Sequence, residues 1–140
     1  MLSEVRDFMT LKVEALAPDA TMEEAVLLAM RRKIRHIPIV EAGKLVGILT
    51  DRDIKKAMPS LLTGVDQEEY RRILSATRVS QIMTRSPTTT TPDAPLREVV
   101  RTLCDKKFGA LPVVEGGRVV GIITETDLLR AFLKVLERET

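Results

Sequence analysis

The 140-residue chain has no tryptophan, one tyrosine and three phenylalanines. That scarcity argues against a platform on which single-stranded bases could stack. Its 22 basic and 20 acidic side chains leave a net charge of +2, too small an excess to argue for a nucleic-acid partner. Cys104 is the only cysteine, so no internal disulfide can form, and a reducing, cytoplasmic location is expected. No apolar run approaches the roughly 20 residues that cross a bilayer. The opening MLSEVRDFMT lacks the basic-then-apolar order of a signal peptide, and no membrane partner is expected. His36 is the only histidine, with no second ligand at useful spacing, so no metal is expected. Asparagine is absent and glutamine occurs twice, in line with the amide depletion of proteins from hot environments.

What is present is a duplication. Met9-Thr10 aligns with Met83-Thr84 at an offset of 74 residues (83 − 9), and that offset holds without a gap. Pro18-Asp19-Ala20 falls on Pro92-Asp93-Ala94, Pro38 on Pro112, Gly43 on Gly117, Gly47 on Gly121, Thr50 on Thr124 and Asp53 on Asp127. Each copy reads as β-α-β-β-α. A short extended stretch, LKVEAL or SPTTTT, comes first. A helix follows. Thr21 with Glu24 has capping-box spacing, and Met22, Ala25, Val26, Ala29 and Met30 recur at helical intervals, as do Leu96, Val99, Val100, Leu103 and Cys104. Two strands come next, 37–40 with 45–49 and 111–114 with 119–123, around turns holding Gly43 or Gly116-Gly117. A second helix opens at Thr50 or Thr124. Pro59 is expected to end the first of these helices, and Asp66 with Glu69 to cap a short helix in the connecting segment. The expected organisation is repeat 1 over 1–62, a linker over 63–78 and repeat 2 over 79–140. Neither repeat, at about 60 residues, buries much core alone. The last helix, about 125–139, carries Leu128, Leu129, Phe132, Val135 and Leu136, a stripe broad enough to face a second subunit.

RHIPIV followed by G-x-L-V-G-I-L-T-x-x-D, and GALPVV followed by GGRVVGIITETD, resemble the cystathionine-β-synthase (CBS) repeat. The pairing resembles a stand-alone Bateman module, of the short accessory type associated with acetoin utilisation. The resemblance covers nearly the whole chain. It implies an α/β fold of two pseudo-symmetric β-α-β-β-α repeats packed face to face through their sheets, pairing into a homodimer. It also implies a regulatory ligand that contains adenosine (AMP, ADP, ATP or S-adenosylmethionine), bound in clefts between the repeats. The output would go to a separate, unknown regulated protein.

By the same resemblance, Asp53 and Asp127 would accept the ribose hydroxyls, with Thr50 and Thr124 near the phosphates. A threonine that ends a strand and opens a helix does stand where free N–H groups favour an anion. The same T-x-x-D spacing also makes a plain capping pair. Arg35, His36 and Arg52 would supply phosphate contacts in the first copy, Arg through its fork of donors. A solvated basic patch is the alternative. Gly109, Ala110 and Thr126 take those places in the second copy, which makes the two sites unequal. Ile37-Pro38 and Leu111-Pro112 would lie beside the adenine, and Val13, Ala15, Thr88 and Thr89 would line the base pocket; core packing explains these positions as well. Gly47 and Gly121, inside strands, permit a close approach of backbone or ligand, and close packing of the copies explains them equally. No nucleophile-base-orienter set, G-x-S-x-G or Walker pattern is present, so no enzyme activity is expected. The rival to a nucleotide sensor is a ligand-free interaction scaffold with degenerate clefts.

Overall fold

Two β-hairpins of identical register organise the chain. The computed structural model describes residues 3–59 and 64–139, so the expected boundary at 62/63 lies outside the described residues. The fold is mixed α/β, with antiparallel pairing within each hairpin. Two compact units are present, Glu14–Pro87 and Met1–Val13 with Thr88–Thr140. Compact units and sequence repeats are thus different divisions of the chain. The leading segment of each repeat belongs to the unit that holds the other repeat's hairpin.

In the 14–87 unit, helix α1 (Met22–Arg32) starts where Thr21 caps it, the hydroxyl accepting from the Glu24 N–H at 3.1 Å. Strands β1 (His36–Glu41) and β2 (Lys44–Thr50) pair antiparallel, from His36 opposite Thr50 to Glu41 opposite Lys44, with an irregularity between Ile39 and Val40. Their two-residue turn puts both Ala42 (φ 51°) and Gly43 (φ 82°) in the left-handed region, as the twist of a tight hairpin demands. Helix α2 (Asp51–Ala57) stops one residue before Pro59, at Met58. Helix α3 (Gln67–Ala76) is capped as expected, Asp66 accepting from the Glu69 N–H at 2.8 Å.

The expected leading strand shrinks to one isolated parallel bridge between Leu16 and Ile39, held by Leu16 N–H to Pro38 O and Val40 N–H to Leu16 O. Two residues on, Pro18 has no N–H to continue the ladder. The other strand of the hairpin, β2, is paired by the leading segment of repeat 2. A 3-10 turn at Val79–Gln81 leads into β3 (Thr84–Arg85), which pairs with Gly47 and Ile48 of β2. Val79 joins Ala20, Ala25, Ile37, Ile39 and Leu49 in the core. Full burial of each larger side chain contributes roughly 1.5–3 kcal/mol before chain entropy is counted.

The other unit repeats the plan. Helix α4 (Leu96–Lys106) starts after Pro95, which occupies the cap position itself. Strands β4 (Ala110–Glu115) and β5 (Arg118–Thr124) form the second hairpin. Helix α5 (Glu125–Arg138) follows. Thr90 makes the lone bridge to Val113, ahead of Pro92. The N-terminal segment supplies a 3-10 turn at Val5–Asp7 and a Thr10–Ile122 bridge. Val5 enters a core with Val99, Leu103, Leu111, Val113 and Ile123. Lys134 of α5 stands 5.4 Å over the Phe8 ring, an attraction between cation and π-face.

Met30 and its counterpart Cys104, expected on apolar helix faces, are both exposed. Each lies about 80° round its helix from the first residue of its stripe, at 3.6 residues per turn. That places both at the stripe's edge.

Candidate functional site

Each hairpin delivers its last strand residue, a threonine in extended conformation, to the cap of the next helix. At the first copy, the Thr50 N–H donates to Asp53 Oδ2 at 3.0 Å, and the Asp53 N–H donates to Thr50 Oγ1 at 3.2 Å. At the second, the Thr124 N–H donates to Asp127 Oδ2 at 2.9 Å and the Asp127 N–H to Thr124 Oγ1 at 3.3 Å. The capping box therefore closes in both copies, although aspartate is shorter than the usual glutamate. A carboxylate has about four acceptor positions, so one capping bond does not exhaust Asp53.

The strand register gathers the first-copy residues at one end of the hairpin. His36 lies opposite Thr50, and the Arg35 carbonyl accepts from the Asp51 N–H at 3.1 Å. Arg35 and Arg52 are exposed, while His36, Thr50 and Asp53 are half-buried. Ile37 and Pro38 are buried; the Ile37 side chain belongs to the core, and its backbone lies in the β1–β2 pairing opposite Leu49. Ala15 is exposed, next to Leu16, whose N–H reaches Pro38 O at 3.1 Å. Val13, half-buried, closes the N-terminal segment of the other unit.

The second copy has the same frame and different chemistry. The Gly109 carbonyl accepts from the Glu125 N–H at 3.0 Å, where Arg35 serves in the first. Ala110, Leu111 and Pro112 are buried, Thr126 is exposed, and Thr88 and Thr89 precede the bridging Thr90. Asp127 is 4% exposed, the buried charged residue among those described. It carries contacts that Asp53 lacks. The Thr124 hydroxyl lies 3.1 Å from Oδ2, the Thr10 hydroxyl lies 3.1 Å from Oδ1 and 3.3 Å from Oδ2, and Arg130 Nη1 approaches Oδ1 at 3.8 Å.

Thr10 is the residue that sequence reasoning missed. Its signal was the repeated Met-Thr pair, but nothing local shows that this pair docks 117 residues away. The strand glycines belong to the same docking. A β-carbon on Gly121 would stand 3.0 Å from both the Met9 sulfur and the Thr10 carbonyl oxygen. The close approach at Gly47 and Gly121 is thus made by the backbone of a leading segment.

Among the described residues no cluster of three or more His, Cys, Asp or Glu could hold a metal ion, and no helix is long and apolar enough to cross a membrane. A surface depression of about 650 Å³ on α1 and α3, lined by residues such as Glu23, Asp66 and Arg72, includes none of the T-x-x-D residues. Elsewhere, Asp93 is held below the usual carboxylate range by the Thr91 hydroxyl, 2.7 Å away, with help from its own backbone N–H.

Comparison with known proteins agrees with the repeated frame. The chain matches the CBS domain family over residues 5–60 and again over 79–134. It is similar to the structure of a putative acetoin utilization protein (AcuB) from Vibrio cholerae, with 31% identity, a TM-score of 0.82, and 99% of this chain and 96% of that one covered. The CBS domain pair of MJ0100, solved with 5′-methylthioadenosine and S-adenosyl-L-methionine, is 31% identical with a TM-score of 0.78, covering 94% and 97% of the two chains. CBSX2 of Arabidopsis thaliana, solved with AMP, is 28% identical with a TM-score of 0.78, again covering 94% and 97%. With two matching segments spanning most of its length, the chain belongs to the CBS domain family and carries that domain as a tandem pair.

Proposed function

We propose that the chain is a regulatory sensor, not an enzyme, that binds an adenosine-containing ligand such as AMP, ADP, ATP or S-adenosylmethionine. The two repeats, 1–62 and 79–140 joined through 63–78, act as one cytoplasmic module. The observation that carries this reading is the convergence of Arg35, His36, Thr50, Arg52 and Asp53 at one hairpin end. It occurs in a tandem pair whose structural relatives were solved with AMP, methylthioadenosine and S-adenosylmethionine. Asp53 retains acceptor positions for a ribose, and the exposed Arg35 and Arg52 offer forked donors to phosphate oxygens. Leu129, Phe132, Leu133, Val135 and Leu136 of α5 are all exposed, a face suited to a second copy of the chain. A ligand that prefers one geometry of such a dimer shifts it toward that geometry, which a separate partner protein can read.

Asp53→Asn tests the site, because it keeps an acceptor for the Thr50 N–H while removing the charge. By calorimetry it should weaken AMP binding by at least about tenfold, the loss of a hydrogen bond to a charged group. Unchanged affinity in a folded variant removes the ribose assignment. The commitment of Asp127 to protein donors favours the rival scaffold reading at the second copy. A thermal-shift panel of AMP, ADP, ATP, S-adenosylmethionine and NAD separates the two readings. Ligand at about 100 times its Kd stabilises by roughly 2.7 kcal/mol, several degrees in Tm, whereas a scaffold gives a flat panel.

A further inference from the structure

We infer that Thr10 closes the second ribose-type acceptor, so that the chain takes one adenosine ligand, on Asp53, and none on Asp127. The inference rests on the adenosine-ligand reading above and concerns how its two sites are made unequal.

A ribose with two free hydroxyls needs two acceptor positions, one on each carboxylate oxygen or both on an open edge. On Asp53 the cap occupies Oδ2 with one N–H. On Asp127 the cap places the Thr124 N–H and the Thr124 hydroxyl on Oδ2, and the Thr10 hydroxyl takes Oδ1 and leans on Oδ2. Thr10 thus holds the acceptor that a sugar hydroxyl would use, with the same chemistry: an alcohol donating to a carboxylate. The bond is fixed from both sides. Thr10 N–H reaches Ile122 O at 2.8 Å and Ile122 N–H reaches Thr10 O at 3.0 Å, so the backbone that presents the hydroxyl is clamped to β5.

The duplication provides the internal control. Thr84 is the counterpart of Thr10 and pairs with Ile48 in the same way, yet among the described residues it makes no hydrogen bond to Asp53. The exposures agree, with Asp127 buried and Asp53 half-buried. The second copy also lacks the bases of the first, having Gly109, Ala110 and Thr126 for Arg35, His36 and Arg52.

Calorimetric stoichiometry on the full chain decides the matter, with AMP as one probe and uncharged adenosine as the other. The wild type should bind one molecule per chain. Thr10→Val removes the hydroxyl and keeps the β-branched shape, and should bind two, the added site preferring AMP over adenosine less strongly than the first, because Gly109, Ala110 and Thr126 stand there for Arg35, His36 and Arg52 and Arg130 already faces Asp127. Thr10→Ser, which restores the hydroxyl, should return to one, and Thr84→Val should stay at one. Asp53→Asn should weaken the wild-type site at least about tenfold, and Thr10→Val with Asp53→Asn should keep one site at the affinity of the site that Thr10→Val adds. Two molecules on the wild type, or one on a folded Thr10→Val chain, overturns the inference while leaving the sensor reading intact. No binding of either probe by the wild type and by Thr10→Val overturns the sensor reading for these ligands and the inference with it.

Discussion

Met83 lies directly over the α-carbon of Gly47: a β-carbon there would stand 2.5 Å from the Met83 sulfur and 3.0 Å from the Thr84 carbonyl oxygen. The sulfur could swing away, but the carbonyl belongs to backbone already paired in β3. Gly47→Ala should therefore cost about 1–3 kcal/mol, the range for overpacking. Gly121→Ala should cost less, since its nearest sulfur stands at 3.0 Å. Urea denaturation checks both values. Replacing Met83 as well as Gly47 should recover part of the loss and leave the share due to the Thr84 carbonyl.

The hairpin turns differ by one methyl group at a position where the methyl group is unfavourable. Ala42 sits at φ 51°, and its counterpart Gly116 sits at φ 60°. Left-handed backbone costs a residue with a β-carbon roughly 1–2 kcal/mol, partly offset because glycine loses more chain entropy on folding. Ala42→Gly should stabilise the protein by about 0.5–1 kcal/mol, and Gly116→Ala should destabilise it by a similar amount. A shift in denaturation midpoint with an unchanged m-value is the expected signature. A loss of stability in Ala42→Gly, or a gain in Gly116→Ala, would contradict the shared geometry.

These two sites show what was legible in the sequence. The duplication, the hairpins and the helix starts are local signals: Thr21, Thr50, Asp66 and Thr124 each cap the helix that the spacing predicted. The docking of residues 3–13 and 79–87 was not legible, because Thr10–Ile122 and Thr84–Ile48 join segments whose pairing no periodicity records. The leading strands were overestimated for a similar reason. β-branched composition in SPTTTT speaks for extended backbone, but only a partner with free donors and acceptors makes a strand. The same holds at the site. T-x-x-D was readable as a carboxylate near a helix start, while its occupancy by Thr10 required knowing what lies across the fold.

The charge difference between the copies predicts how the ligand is discriminated. Arg35 and Arg52 are exposed, with Arg52 between Asp51 and Asp53 in sequence, so their value to a phosphate depends on salt. Arg35→Ala and Arg52→Ala should each weaken AMP by about 10-fold or more and leave adenosine nearly unchanged. The AMP affinity of the wild type should fall with added salt more steeply than that of either variant. Equal losses for adenosine and AMP would mean that the arginines support the fold and not the phosphate.

Helix α5 offers the sharpest separation of the proposed interface from core. Leu128 packs against the core cluster, whereas Leu129 and Phe132, one and four residues on, are 67% and 57% exposed. A contiguous apolar face of this kind on a small protein marks an association surface, and a self-complementary patch is the simplest way to cover it. Leu129→Glu with Phe132→Glu should raise the dimer Kd at least tenfold in sedimentation while circular dichroism stays native. Leu128→Glu should instead unfold the chain, because the charge would enter the cluster around Leu111 and Ile123 without a partner. If the wild type sediments as a monomer at every concentration tested, the α5 face is not a self-association surface, and ligand response cannot run through a dimer.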